Sequence, residues 1–175
     1  MLIDLSELLS HVDKTLDLSA ELEMEHFVTR LNDYPILDKK PVRFQISGVD
    51  GRKVEISAEI ELTLVIPCDR CLDDVNNLIK INTSREVDLS ESEEDRKEAL
   101  EEIDYIDGTM LDVEKFVYGE ILVNLPMKVL CSENCKGICN RCGTNLNYGN
   151  CGCDTTELDP RMAKAMEVFN SFKEV

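Results

Sequence analysis

Apolar and polar residues alternate along the first half of the chain, a two-residue period typical of half-buried β-strands. The alternation is clearest over residues 54–66, where valine, isoleucine, leucine and alanine occupy every second position and acidic or hydroxyl residues fill most of the others. Asp50-Gly51 supplies a hairpin turn just before this run. We therefore predict an antiparallel meander over residues 14–89 with one face in water. The predicted strands are 16–24, 42–46, 54–66 and 79–89.

The period changes from two residues to between three and four after the predicted strands. Thr109 and Asp112 resemble a capping box, and the apolar positions that follow predict a helix over 111–125. Pro126 ends this helix, because the residue before a proline disfavours helical geometry. Asp159-Pro160 predicts the start of a second helix, since proline is favoured at the first helical position. The apolar stripe of that helix is Met162, Ala165, Met166, Phe169 and Phe172.

These elements predict an α+β fold, an antiparallel β-meander or partly open barrel packed by one helix. A C-terminal cysteine-rich zinc-knuckle segment and a terminal helix follow it. We place the sheet domain at 1–126, including an acidic loop at 90–108. The metal-binding segment and the terminal helix occupy 127–175.

Composition limits where this chain works. At 43% hydrophobic residues it has enough apolar material for a packed core. Asp4 and Glu7 interrupt the amino terminus where a signal peptide needs an apolar run. No apolar stretch approaches the roughly 20 residues that cross a bilayer. We expect a cytoplasmic protein with no membrane partner and no small-molecule substrate.

The formal net charge of −17 is large for 175 residues. Such a surface repels phosphate backbones and attracts basic partners. The charge is uneven, because residues 86–107 hold eleven acidic side chains against Arg96 and Lys97. This run is interpreted as a solvated loop, with a docking surface for a basic protein as the alternative.

Six of the eight cysteines lie between the two predicted helices. Clustered cysteines in a reducing cytoplasm indicate metal binding rather than disulfides. The run Cys139-Asn-Arg-Cys142-Gly143 is a zinc knuckle in form, because a tight turn points two sulfurs at one ion and glycine ends the turn. Four thiolates select zinc, with iron as the main competitor. The candidate ligands are Cys139, Cys142, Cys151, Cys153, Cys135 and Cys131.

The choice of four ligands among these six stays open. Cys151 and Cys153 can complete the site with Cys139 and Cys142, or Cys135 or Cys131 can replace one of that pair. Cys68 and Cys71 form a second C-x-x-C at the end of the long strand, and we keep them as second-tier candidates. Their three interpretations are a half-site completed by Cys131 and Cys135, plain structural thiols, or a redox pair. We expect one structural zinc ion, with two as the alternative.

Little in the sequence points to catalysis. The histidines are His11 and His26 only, and no nucleophile elbow, phosphate-binding glycine loop or helical histidine pair occurs. A shell of four thiolates is closed to water, so its metal is structural. We predict that the protein is not an enzyme.

Several motifs occur together along the chain: Pro67–Leu72, Asn124-Leu125-Pro126, Leu130–Asn147, Cys151-Gly152-Cys153 and Asp159-Pro160-Arg161. In these motifs the chain resembles the bacterial large ribosomal RNA subunit accumulation proteins, the YceD family, in the form that Gram-positive members with a C-terminal cysteine cluster take. The resemblance implies a non-enzymatic role in large-subunit ribosomal RNA accumulation and ribosome assembly, through a basic ribosomal protein or an assembly complex. The alternative is a zinc-ribbon protein that contacts ribosomal RNA directly through Lys136 and Arg141.

Overall fold

A computed structural model describes residues 1–9, 14–50, 53–89, 104–153, 162 and 164. Most of the described chain forms antiparallel sheet, with one helix of three turns. The elements are β1 (Leu2–Asp4), α1 (Ser6–Leu9), β2 (Thr15–Ala20), β3 (His26–Val28), β4 (Asp33–Lys39), β5 (Val42–Asp50), β6 (Lys53–Pro67), β7 (Asp74–Asp88), β8 (Ile106–Asp107), β9 (Met110–Asp112) and α2 (Val113–Asn124).

The hairpin of β6 and β7 contains the two longest strands of the main sheet. Each strand has 15 residues, and their pairing runs without a register shift from Lys53 opposite Asp88 to Pro67 opposite Asp74. The other edge of β6 pairs with β5 along its first half and with β4 along its second half. β2 then adds to β5, and β3 adds to β4. The six-stranded sheet is not closed, and of the two predicted forms, a β-meander or a partly open barrel, neither requires closure.

The predicted antiparallel sheet is confirmed, with one insertion that the sequence pattern did not reveal. β2, β5, β6 and β7 lie side by side in the predicted order. β3 and β4 occur between β2 and β5 in sequence, but in the sheet β4 pairs with β6 and β3 pairs with β4. Every side chain of β4 is exposed or only partly buried. Its apolar positions therefore lack the strong alternation that marks β6.

The core lies between one face of the sheet and helix α2. Alternate residues of β6 from Val54 to Ile66 are buried, as their pattern predicts. Phe116 of α2 packs edge-on against Phe44 at 5.7 Å between ring centroids. The Arg85 guanidinium on β7 donates to the buried Glu120 carboxylate on α2 at 2.8 Å.

The helix predicted at 111–125 is confirmed in a shorter form, Val113–Asn124. Leu111 belongs to β9, which joins β1 and β8 in a small three-stranded sheet. Asp112 caps the helix, because its Oδ1 accepts from the N–H groups of Glu114 at 3.1 Å and Lys115 at 3.4 Å. No helix among the described residues is long and apolar enough to span a bilayer.

The predicted acidic loop and the predicted terminal helix lie largely outside the described residues. Residues 90–103 of the acidic loop are not described, and neither is His11. Of the predicted terminal helix, only Met162 and Lys164 are described, and both are helical. That helix and the boundary between the two predicted domains stay predictions.

Candidate metal centre

The turn between β6 and β7, residues 68–73, brings its two cysteines onto one side. We call this turn the hairpin tip. The Cys68 N–H donates to the Asp73 carbonyl at 2.8 Å, and the Leu72 N–H donates to the Cys68 carbonyl at 2.9 Å. Leu72 adopts a left-handed backbone with φ of 64°. A residue with a Cβ adopts this conformation at a cost of about 1–2 kcal/mol.

The segment after α2 docks on the hairpin tip through Asp69 and Arg70. The Asp69 N–H donates to the Val129 carbonyl at 2.9 Å, and the Val129 N–H donates to Asp69 Oδ2 at 2.7 Å. The Arg70 guanidinium donates to the Cys135 carbonyl at 2.9 Å. Gly137 also touches this turn, since a Cβ there would lie 3.0 Å from the Arg70 carbonyl oxygen. These contacts carry Cys131 and Cys135 to the two cysteines of the tip.

The resulting group, Cys68, Cys71, Cys131 and Cys135, is called the hairpin tetrad. Its four sulfurs lie within 4.8 Å of one another, and Cys68, Cys71 and Cys135 are buried. The Cys68 and Cys135 sulfurs are 3.9 Å apart, and those of Cys71 and Cys131 are 3.4 Å apart. Four sulfurs placed tetrahedrally at the usual zinc–sulfur distance of about 2.3 Å lie about 3.8 Å apart. The donor set therefore fits a four-coordinate zinc ion.

A second group, Cys139, Cys142, Cys151 and Cys153, is called the knuckle tetrad. Its sulfurs also lie within 4.8 Å of one another, but only Cys139 is buried. A closed shell of four thiolates again suits zinc or iron.

The knuckle turn repeats the backbone of the hairpin tip. The Cys139 N–H donates to the Thr144 carbonyl at 2.8 Å, and the Gly143 N–H donates to the Cys139 carbonyl at 2.9 Å. Gly143 has a left-handed φ of 72° and stands at the position that Leu72 holds in the other turn. The hairpin tip therefore has the same backbone turn as the knuckle, with leucine in place of the glycine.

The two tetrads are connected directly. Ile138 and Asn145 form a β-bridge inside the knuckle, and the Ile138 N–H donates to the Arg70 carbonyl at 3.1 Å. Asp73 Oδ2 accepts from the Asn145 amide at 2.9 Å and from the Tyr148 hydroxyl at 3.1 Å. The knuckle is thus anchored to the hairpin tip on both sides of its turn.

Backbone and side-chain donors set the thiol acidities of the hairpin tetrad. Burial raises the pKa of Cys68, but N–H groups of its own turn and of Cys131, at 3.3 Å, outweigh burial and lower the pKa to about 6. The Asn147 amide donates to the Cys135 sulfur at 3.3 Å and lowers the pKa of Cys135. Burial raises the pKa of Cys71. Cys68 and Cys135, whose pKa values are lowered, are therefore the thiols of this tetrad that most readily form thiolate, the form that binds metal.

The knuckle tetrad has the same mixture of acidic and weakly acidic thiols. A hydrogen bond from Thr144, with oxygen and sulfur 3.1 Å apart, lowers the pKa of Cys142 to about 6. Backbone N–H groups of Cys142 and Arg141 lower the pKa of Cys139. The neighbouring Cys142 and Cys151 sulfurs raise the pKa of Cys153 to about 12.

All eight cysteines lie in these two groups, so the six first-tier candidates are divided between them. Cys131 and Cys135 lie with the second-tier pair Cys68 and Cys71, which is the half-site arrangement that the sequence left open. The sequence did not single out Asp69, Asp73 or Asn147, the side chains that connect the segments. Their nearness to a C-x-x-C or C-x3-C pair was the available signal. Short polar residues beside such pairs often bond to the turn.

The chain is thus an antiparallel sheet protein with two groups of four cysteines at one end of a β-hairpin, each with the donor set of a metal site. The model of the family described as large ribosomal RNA subunit accumulation protein YceD matches residues 56–166, which include both tetrads. The match covers more than half of the chain. The chain belongs to the YceD family.

Two curated relatives are similar to the chain, and one of them carries the family name. An uncharacterized protein of Mycobacterium tuberculosis is 24% identical over 66% of this chain and 56% of its own length. The chloroplastic large ribosomal RNA subunit accumulation protein YCED homolog 1 of Arabidopsis thaliana is 24% identical over 74% of this chain and 48% of its own length. The chain thus spans about half the length of the curated relatives it matches. No solved structure matches the chain significantly.

Proposed function

We propose that this chain is a non-enzymatic factor that supports large-subunit ribosomal RNA accumulation and ribosome assembly in the cytoplasm, with structural zinc. Family membership supports the role in RNA accumulation. The observation that supports the zinc is that the chain has two groups of four sulfurs, and the sulfurs of each group lie within 4.8 Å of one another. Each set is complete without water, which suits a structural rather than a catalytic ion.

The ligands of the first ion are Cys68, Cys71, Cys131 and Cys135, and those of the second are Cys139, Cys142, Cys151 and Cys153. Zinc bound there would cross-link the four cysteines of each group, and zinc binding is coupled to folding with a free energy of about 10–16 kcal/mol in small zinc domains. Within this chain, the Asp69 and Arg70 contacts align the segment from Val129 onward with the hairpin tip. The metals would therefore hold that segment against the end of the hairpin.

The partner is a basic ribosomal protein or a complex that contains one. The formal charge of −17 counts each cysteine as neutral. Eight thiolates would add eight negative charges and two divalent ions would return four, so the metal-loaded chain would carry about −21. This charge favours a basic protein surface over a phosphate backbone.

The second candidate is a zinc-ribbon protein that binds ribosomal RNA directly. Lys136 and Arg141 favour it, because both are exposed on the cysteine segment. Zinc modules bind RNA through such cations, and binding of this kind weakens steeply with added salt.

The proposed function is tested in a strain that lacks the chain. Expression of the wild-type chain is expected to restore the ratio of large- to small-subunit ribosomal RNA, and Cys68→Ser/Cys71→Ser is expected not to. Purified zinc-loaded chain is then titrated with ribosomal RNA at low salt. A failure of the wild-type chain to restore the ratio would contradict the role in accumulation. Tight binding with a steep salt dependence would favour the RNA-binding candidate.

A further inference from the structure

Leu72 is strained and exposed at once. Its backbone is left-handed, with φ of 64°, and its side chain is 63% exposed. The equivalent position of the other knuckle turn is Gly143, which adopts the same conformation without a Cβ. Because its side chain is mostly exposed, Leu72 contributes little hydrophobic burial to offset the cost of its strained backbone. Backbone strain of this kind concentrates at functional positions.

An exposed aromatic side chain lies beside the same turn. Tyr148 is 82% exposed, yet its hydroxyl donates to Asp73 Oδ2 at 3.1 Å. This hydrogen bond fixes the end of the ring next to the residue that follows Leu72. A rigid aromatic side chain loses little entropy on binding, and aromatic side chains are enriched among the residues that dominate protein interfaces.

The charge around the turn is negative. Asp73 and Asp74 follow Leu72 directly, and Asp74 is exposed. The Arg70 guanidinium donates to the Cys135 carbonyl at 2.9 Å. A divalent ion on the four thiolates of the hairpin tetrad leaves two net negative charges beneath the turn. An apolar contact within a negative field complements a basic segment.

We propose that Leu72, Asp73, Asp74 and Tyr148 form a docking surface, called the tip surface, for a basic segment of a partner protein that also carries an apolar side chain. The apolar side chain of the partner packs on Leu72 and the Tyr148 ring, and its lysine or arginine residues face the aspartates. The negative field disfavours RNA at this surface. The inference rests on the proposed function in taking the partner to be a ribosomal protein.

The test uses the full chain loaded with zinc and short overlapping peptides that cover the large-subunit ribosomal proteins of the organism that encodes it. Leu72→Gly removes the side chain and relieves the strain, so the variant should keep its metal content and unfold at the same or a higher temperature. Leu72→Asn is a second variant, since asparagine tolerates the left-handed conformation. Leu37→Gly on β4 is the matched control, because Leu37 is 61% exposed and remote from the cysteines in sequence.

Peptides that combine lysine or arginine with an apolar residue are expected to bind the wild-type chain and the Leu37→Gly control equally. Both Leu72 variants should bind them at least about tenfold more weakly, as expected for a central contact residue. Wild-type affinity in the Leu72 variants would overturn the proposal, as would a complete absence of peptide binding at low salt. Binding of a single-stranded RNA oligonucleotide that depends on Leu72 would assign the surface to RNA and would also overturn it.

Complementation separates this inference from the proposed function. A wild-type chain that restores large-subunit ribosomal RNA, together with a Leu72→Gly chain that restores it equally well, would eliminate the tip surface and leave the proposed function standing. A wild-type chain that fails to restore the RNA would eliminate the proposed function whatever the peptides do. Restoration by the wild type and by Leu37→Gly, but not by Leu72→Gly, supports both.

Discussion

The two tetrads use the same knuckle turn in opposite structural settings. The hairpin tetrad joins positions far apart in the chain, with Cys71 and Cys131 separated by 60 residues, and three of its four cysteines are buried. The knuckle tetrad lies within residues 139–153, and one of its four cysteines is buried. One group connects the sheet to the segment that follows α2, and the other shapes a short local loop.

This difference predicts what an ion bound in each tetrad would contribute to the fold. Closing a long loop removes more conformational freedom from the unfolded chain than closing a short one, with about 0.6 kcal/mol for each doubling of length. An ion in the hairpin tetrad therefore acts as a cross-link between two parts of the molecule. An ion in the knuckle tetrad orders mainly its own loop, which rests on the cross-linked part through Asp73.

The largest effect is expected from Cys68→Ser/Cys71→Ser. This variant should lose one ion per chain. It should also lose the docking of the segment after α2, because the hairpin tip and that segment no longer bind a common ion. Hydrogen exchange should accelerate at the Val129, Cys131 and Ile138 amides. Native mass spectrometry and exchange measurements check both results.

Cys151→Ser/Cys153→Ser is the matched control for that experiment. It should also lose one ion, but the same three amides should stay protected. Equal loss of protection in the two variants would contradict the inference that only the hairpin tetrad holds the segment after α2 against the sheet.

The second prediction concerns thiol reactivity after a limiting amount of chelator has removed the knuckle ion. The lowered pKa of Cys142, about 6, keeps it a thiolate above pH 6, so its alkylation rate should level off above pH 7 and fall below pH 6. The raised pKa of Cys153, about 12, keeps it protonated, and its rate should still be rising at pH 10. At pH 7, Cys142 should react at least about 100-fold faster.

Timed alkylation followed by peptide mapping measures both rates. A similar rate for the two thiols at pH 7 would mean that the knuckle turn does not survive the loss of its ion. The knuckle would then depend on metal for its shape as fully as the docked segment does.

Exchanging the residues at the left-handed positions gives a smaller effect. Gly143→Leu should impose about 1–2 kcal/mol of strain on the metal-bound knuckle and lower its zinc affinity about tenfold. Competition with a chromophoric chelator measures the affinity. The hairpin tetrad of the same variant is the internal control, and an equal decrease there would contradict a local origin of the effect.

The smallest predicted effect is that of Asp73→Ala. The variant loses the Asn145 and Tyr148 hydrogen bonds but keeps the backbone carbonyl that accepts from Cys68. Each such bond contributes about 0.5–1.5 kcal/mol in general, and Tyr148 is exposed, so the knuckle affinity should fall about fivefold. Asp74→Ala is the neighbouring control. An unchanged knuckle affinity in Asp73→Ala would mean that the two tetrads fold independently.

Part of this structure could be predicted from sequence because the relevant signals are local. The alternation in β6 and the period of α2 are strong, since each buries one face, as Val54 and Phe116 illustrate. β3 and β4 lack such a signal because most of their side chains stay in water. The spacing of Cys139 and Cys142 marked one knuckle turn directly.

The grouping of the cysteines could not be predicted in the same way, because it depends on a long-range contact. Cys131 and Cys135 reach Cys68 and Cys71 only because the Val129 backbone pairs with Asp69, 60 residues away in sequence. The similarity of the two turns was hidden as well. Leu72 stands where a glycine would have signalled a knuckle, and its φ is visible only in the structure.

The most direct test of the central claim is X-ray absorption spectroscopy at the zinc edge, combined with the metal-to-protein ratio of the purified chain. We expect two zinc ions per chain, each with four sulfur ligands at about 2.3 Å. A chain that purifies without metal, and whose segment after α2 remains protected from hydrogen exchange in a strong chelator, would contradict the account.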